Sequence, residues 1–260
     1  MSTSIIVPNK MKQALQAGKR LFGTMVVEFR QPSVMQLLAN AGLDFAIIDN
    51  EHGPFSVETI ADLSRMARLV GVTPIVRVPQ LEYPYVAQSL DGGAQGVMIP
   101  RVFGVDDVLR AVEITRFPPR GRRGNSLSRG YTNFRGGSTP EAMAASNAET
   151  LLVIQIETAE AVENLEAITS VPDVDICLIG PNDLSIALGV PGQLDSPVLH
   201  AAIQKTIDVC VKNGVYPALH INSVEWANYW LERGMRIIST FSEAGYLTQG
   251  CARVVQAMKG

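Results

Sequence analysis

The chain has 260 residues, 47% of them hydrophobic and 18% charged. That is enough to bury a large core, and it is close to the ~250 residues typical of one (β/α)8 barrel. The formal net charge of −3 gives no electrostatic case for nucleic-acid binding, and no apolar run reaches the roughly 18 residues of a membrane-spanning helix.

Short apolar, β-rich runs alternate with helical patterns along the chain. The polar opening stretch MSTSIIVPNKMKQALQAGKR lacks the apolar core of a secretory signal, so a cytoplasmic protein is expected. The first strand is predicted over Phe22–Glu28, with a helix over Pro32–Asn40. Phe45–Asn50, Thr73–Val78 and Gly96–Pro100 follow as strands, each with its helix: Val57–Val70, Tyr83–Leu90 and Val105–Arg116. Next comes an irregular segment, Pro118–Gly137, rich in glycine and arginine. The fifth and sixth strands are Leu151–Glu157 and Asp175–Gly180, with helices over Ala159–Thr169 and Pro197–Lys212. The seventh and eighth are Tyr216–Ile221 and Arg236–Phe241, with helices over Val224–Glu232 and Ala244–Met258.

Runs such as FAIID, LLVIQI and ICLIG are apolar without alternation, as in strands buried on both faces. Gly42, Gly71, Gly92, Gly214 and Gly234 stand where left-handed helix caps are expected. Eight βα units without a composition break predict one domain over residues 1–260, a closed (β/α)8 barrel. GxGxxG is absent, which argues against an open dinucleotide-binding sheet. Cys177, Cys210 and Cys251 have no metal-like spacing and read as reduced thiols.

Barrel chemistry sits where strands end. Strand two ends in Asp49, Asn50, Glu51 and His52, strand three in Arg77. Strand five carries Gln155 and ends in Glu157, and strand six runs into Gly180, Pro181, Asn182 and Asp183. Glu157 and Asp183, with water and a chelating 2-oxo acid, suit an octahedral Mg²⁺, Mn²⁺ or Co²⁺. Asp183 alternatively caps a short helix starting near Leu184. Asp49, three residues from His52, is placed to fix its tautomer. Arg77 in an apolar strand needs an anion: a structural partner, or a substrate oxo group and its enolate. His200 reads as structural and His220 as a second candidate. None of the six lysines lies at a strand C-terminus, which disfavours Schiff-base chemistry.

The segments IIDNEHGPFS, PIVRVP, LDGGAQGVMIPRV, PPRGRRG, IQIETAEAVENL and LIGPNDLSIALG, in that order, resemble the HpcH/HpaI family of class II pyruvate aldolases. The resemblance runs from about Gly23 to about Gly245. It implies a metal-dependent carbon–carbon lyase that cleaves 4-hydroxy-2-oxo acids to pyruvate and an aldehyde. By position it implies Glu157 and Asp183 as metal ligands and Arg77 as the contact to the pyruvate ketone. His52 and Asp49 become the catalytic dyad, Gln155 a residue lining the site, and Gly180–Asp183 the backbone holding the pyruvate carboxylate. Asp91 becomes an acidic residue offered to the dyad by a neighbouring subunit of a trimer or hexamer. The sequences STFSE at Ser239–Glu243 and Glu28-Phe29-Arg30 depart from the family pattern where the aldehyde would lie. Two other readings share much of this site: a related lyase or decarboxylase acting on a 2-oxo acid such as oxaloacetate, and a non-catalytic 2-oxo-acid binder. The arginines of Pro118–Gly137 are expected either as solvated charge or as a lid or interface segment.

Overall fold

The structure, a computed structural model, describes residues 5–260; the first four residues of the polar opening stretch lie outside the described residues. The eight strands are β1 (Leu21–Val26), β2 (Phe45–Asp49), β3 (Thr73–Arg77), β4 (Gly96–Ile99), β5 (Leu151–Ile156), β6 (Ile176–Ile179), β7 (Tyr216–His220) and β8 (Ile237–Ser242). Each pairs in parallel with the next, and β8 returns to β1, so the sheet closes into a barrel. The helices are α1 (Lys10–Gln16), α2 (Ser33–Asn40), α3 (Val57–Val70), α4 (Tyr83–Gly92), α5 (Val105–Thr115), α6 (Thr139–Glu149), α7 (Ala159–Glu163), α8 (Leu165–Ser170), α9 (Pro181–Ala187), α10 (Pro197–Asn213), α11 (Val224–Glu232) and α12 (Glu243–Lys259).

The period-two alternation of a strand sorts the core into two clusters. Ala46, Ile48, Val76, Val97, Leu152, Ile154, Cys177, Ile179, Leu219 and Ile238 point outward and pack under the helices. Leu21, Phe45, Ile47, Ile75, Met98, Leu151, Val153, Ile176, Leu178, Ala218 and Ile237 point inward and fill the barrel. Met11 and Leu15 of α1 join this inner cluster and plug the N-terminal end, a burial worth about 1.5–3 kcal/mol each. Two residues further along, the inward positions turn polar: Asp49, Arg77, Gln155, His220 and Ser239. The interior therefore changes from apolar to polar along the strand direction, which puts the reactive groups at the C-terminal mouth.

Several expectations are corrected. α1 and α6 are additional to the predicted elements. In α6, TPEAMAASNAE, the buried positions are Ala142, Ser146 and Asn147, too small and polar to make an apolar stripe. The predicted helix over Ala159–Thr169 is two helices that meet at Asn164. α9 begins at Pro181, so Asp183 lies in its first turn and does not cap a helix from Leu184. The left-handed residue after α4 is Gly93, φ 119°, while Gly92 belongs to the helix.

The arginine-rich segment lies at the opposite end of the barrel from the mouth. It lies between α5 and α6, and its side chains bond to residues in the last turns of α4 and α5 and in the loop before β6. Arg120 pairs with Asp173, Arg122 with Glu113 and Arg123 with Asp91. The neighbouring Arg116, fully buried, reaches Asp175 at 2.8 Å and the carbonyls of Thr150 and Asp173. This segment is a brace across the N-terminal face and cannot be a lid over the chain's own strand ends.

Candidate active site

Arg77 and Asp49 form the centre of the mouth. Their strands are adjacent and in register, Asp49 opposite Arg77. Arg77 is 8% exposed and Asp49 2%. The guanidinium grips the carboxylate with two bonds, Nε to Oδ1 at 2.9 Å and Nη2 to Oδ2 at 2.6 Å, a bidentate geometry that lysine cannot reproduce. Nη1 is 3.1 Å from Glu51 Oε2. Burial works to lower the Arg77 pKa, but the hydrogen bond and charge of Asp49, with Glu51 and Glu157, raise it above the ordinary value.

The expected ring contact between Asp49 and His52 is absent. Asp49 Oδ1 accepts the backbone N–H of Glu51 at 3.0 Å and of His52 at 3.3 Å. Asp49 therefore fixes the turn that carries His52, while the imidazole is 71% exposed at the entrance. The carboxylate near the ring is Glu51, whose Oε2 lies 3.9 Å from Nε2. Glu51 thus stands between Arg77 and His52, a position not assigned from the sequence although it sits within the same NEH strand end.

Across the mouth, Glu157 follows β5 and is 6% exposed. Its Oε1 accepts the N–H of Arg101 at 2.7 Å, and Oε2 accepts from Gln155 Nε2. Arg101 holds that N–H in place with a left-handed backbone, φ 55°, strain of the kind found at functional sites. Burial raises the Glu157 pKa; the negative charges of Glu51 and Asp183 add to this, against the Arg101 N–H and Arg77. Gln155 Oε1 is buried without a hydrogen-bond partner among the described residues. Asp183 is exposed, in the first turn of α9. Gly180 keeps this corner open: a Cβ there would lie 3.0 Å from Gln155 Nε2 and 3.2 Å from Glu157 Oε2.

These groups surround a cavity of about 200 Å³ whose wall includes Arg77, Gln155, Gly180, Pro181, Asn182, Asp183, His52 and His220 over an apolar floor of Met25, Ile47, Met98 and Leu178. A second chamber of about 270 Å³, lined by Glu51, Arg101, Glu157 and Thr158, shares His52 and Asp183 with it. Cavities of this size take a molecule of a few heavy atoms; typical drug-sized pockets hold 300–1,000 Å³. Among the described residues, no three His, Cys, Asp or Glu side chains are clustered to hold a metal.

His220 and Ser239 also belong to the mouth. They are register partners on β7 and β8, and His220 Nδ1 lies 2.9 Å from Ser239 Oγ. His200 packs among Trp226, Tyr229 and Trp230 away from the site, as its structural reading expects. Asp91 lies in the last turn of α4 and bonds to Arg123 of its own chain, Oδ1 to Nη2 at 2.6 Å. That oxygen of the acid expected to serve a neighbouring subunit is therefore paired within its own chain.

Residues 24–246 match the HpcH/HpaI aldolase/citrate lyase family. The chain is 32% identical over 260 residues to the 5-keto-4-deoxy-D-glucarate aldolase of Citrobacter koseri, covering 100% of both chains. It is 33% identical over 252 residues to the 4-hydroxy-2-oxo-heptane-1,7-dioate aldolase of Escherichia coli, covering 96% of this chain and 93% of that one. The crystal structure of an HpcH/HpaI aldolase from Desulfitobacterium hafniense superposes with a TM-score of 0.91 at 32% identity, covering 96% of each chain. Among the described residues no helix is long and apolar enough to cross a membrane. The named relatives are aldolases, carbon–carbon lyases, and the chain is an enzyme of that kind: it belongs to the HpcH/HpaI aldolase/citrate lyase family.

Proposed function

We propose that this enzyme catalyses the reversible aldol cleavage of 4-hydroxy-2-oxo acids to pyruvate and an aldehyde through an enolate. The observation that carries the reading is a buried, fork-held Arg77 in one chamber of the mouth and Glu157 in the adjoining one, with Asp183 lining both. The residues fit a hard divalent cation, Mg²⁺, Mn²⁺ or Co²⁺. Glu157 is destabilised as an anion by burial and by its carboxylate neighbours, a cost that a cation removes, and the orphaned Gln155 Oε1 is one more oxygen acceptor. Such an ion, when bound, supplies Lewis acidity toward the 2-oxo acid.

The chain's own groups do the rest. α9 starts at Pro181, which has no N–H, and the Gly180 N–H already bonds to Ile156 O, so the first-turn N–H groups of Asn182 and Asp183 are the ones without an intrahelical acceptor that suit the pyruvate carboxylate. Arg77 donates to the ketone oxygen and stabilises the negative charge that develops there. Asp49 holds Arg77 in its working orientation and fixes the His52 turn. His52, free at the entrance beside Glu51, accepts the C3 proton. The enolate carbon attacks the aldehyde carbon, and the proton passes to the new alkoxide. Cleavage runs the same steps backwards.

We further propose that the enzyme works as a homo-oligomer, a trimer or hexamer. Of the 17 residues of α12 only Glu243 is buried, and Leu247, Val254, Val255 and Met258 are 41–74% exposed. Most helical stability in proteins comes from packing of an apolar face, so an apolar surface of a second copy is its natural support. In such an assembly Asp91, whose Oδ2 accepts no hydrogen bond among the described residues, is the acid offered to a neighbour's His52. One assay separates the catalytic readings. An aldolase exchanges pyruvate methyl protons with deuterium when a divalent cation is present and also cleaves 4-hydroxy-2-oxo acids. A related lyase exchanges without cleaving them, and a binder does neither.

A further inference from the structure

The cavity contains a polar pair that the chemistry above does not use. A pyruvate methyl group needs only an apolar wall, and Met25, Ile47, Met98 and Leu178 supply it. Yet β7 places an imidazole in that wall, and β8 places a fully buried hydroxyl, Ser239, directly behind it. Burying two polar side chains costs free energy unless their hydrogen bonds are made. The pair meets only half of this demand. His220 Nδ1 is bonded to Ser239 Oγ at 2.9 Å. Its Nε2 has no partner among the described residues, and the ring lines the cavity.

The ring is also neutral. Burial first, and then the positive charge of Arg77, pull its pKa from 6.5 to about 4, against the opposing charge of Asp49. A neutral imidazole is no site for a carboxylate. Carboxylate and ketone already have other donors, in α9 and Arg77. What remains is a neutral group that hydrogen-bonds. The Ser239 bond allows two tautomers: Nδ1–H donating to Oγ leaves Nε2 as an acceptor, and Oγ–H donating to Nδ1 leaves Nε2–H as a donor. A hydroxyl group satisfies either one.

We propose that His220, oriented by Ser239, is a specificity-determining residue that binds a hydroxyl group of the substrate. The inference rests on the aldolase reading for the identity of that substrate. The hydroxyl has two possible sources: C3 of the 2-oxo acid donor, as in hydroxypyruvate, or C2 of the aldehyde acceptor, as in glycolaldehyde.

The experiment compares wild type with His220→Leu and Ser239→Ala in the cation-loaded enzyme. With propionaldehyde as acceptor, kcat/KM is measured for hydroxypyruvate and pyruvate. With pyruvate as donor, it is measured for glycolaldehyde and acetaldehyde. His220→Leu is expected to lower the hydroxyl-to-methyl preference in one pair by about tenfold or more, with Ser239→Ala moving the same ratio less. Deuterium exchange into pyruvate stays within about threefold of wild type, a shift below 1 kcal/mol. A change confined to the first pair assigns the hydroxyl to the donor, and one confined to the second assigns it to the acceptor. Equal losses on all substrates, or unchanged ratios in both pairs, overturn the proposal. If wild type fails to exchange pyruvate with any cation, the aldolase reading fails. The ratio of hydroxypyruvate to pyruvate dissociation constants, measured by calorimetry on the same proteins, then decides His220 separately: an unchanged ratio overturns it and a tenfold change supports it.

Discussion

Replacing Arg77 with lysine keeps the charge and removes the fork, so it divides the structural role of this residue from its chemical one. Arg77 makes two hydrogen bonds to Asp49 and an ion pair with Glu51. An ammonium group on a flexible stem can reach Asp49 Oδ2, but it gives up the Nε bond. Asp49 Oδ1 then keeps the N–H groups of Glu51 and His52, so the buried carboxylate is not orphaned. The loss is one to two charge-assisted bonds, about 1.5–6 kcal/mol at ~1.5–3 kcal/mol each, or a Tm lower by roughly 3–24 °C. The chemical loss is separate. A fixed donor to a developing oxyanion is worth about 10²–10³ in rate, and lysine cannot place two donors in one plane. Thermal unfolding and pyruvate methyl exchange, measured on the same preparation, read the two losses. The expected result is a folded protein with exchange reduced about a hundredfold or more. Near-wild-type exchange together with a lowered Tm would refute the reasoning, because Arg77 would then be only the structural partner of Asp49.

Removing divalent cations with EDTA should abolish turnover, and restoring Mg²⁺, Mn²⁺ or Co²⁺ should recover it. A saturating cation at 100 times its Kd should also raise stability by about 2.7 kcal/mol, a shift that Asp183→Asn should largely remove and that calorimetry can follow. Arg123→Ala should destabilise the fold by about 1–3 kcal/mol, since it removes a charge-assisted bond from the part-exposed Asp91 and empties the space over Phe117 and Tyr131; KM for acidic aldehydes should not respond selectively, because this brace lies at the far end of the barrel. His220 makes stability depend on pH. Its folded pKa, about 4, lies below its ordinary 6.5, so between these values the unfolded chain binds more protons. Its contribution is complete above pH 6.5 and is lost as pH falls toward 4, by up to about 3 kcal/mol. The difference between wild type and His220→Asn, by denaturant titration, should grow over that window and stay flat above it.

Much of this was legible in the sequence. Uninterrupted apolar runs such as FAIID and LLVIQI located the strands because a closed parallel barrel buries both faces. Reading the polar residue at the end of each run found Asp49, Arg77, Gln155, Glu157 and the Gly180–Asp183 turn, because strand direction alone decides which end bears them. What the sequence hid depends on distances across the barrel. Asp49 is three residues from His52, yet its carboxylate faces Arg77 on the next strand, since register places those two side chains on the same inner layer. The Asp91–Arg123 pair was hidden because Arg123 is 32 residues away and approaches through a segment without regular periodicity. Ser239 was unreadable for the same reason: only the β7–β8 register shows that it backs His220.

The most direct measurement of the central claim is deuterium exchange into the methyl group of pyruvate, followed by proton NMR, on the metal-stripped enzyme with and without added Mg²⁺, Mn²⁺ or Co²⁺. Enolate formation supported by Arg77, Glu157 and Asp183 predicts exchange that appears with the cation, disappears in excess EDTA, and is lost in Asp183→Asn. Exchange that persists at full rate in excess EDTA, or the absence of exchange with every cation tested, would contradict it.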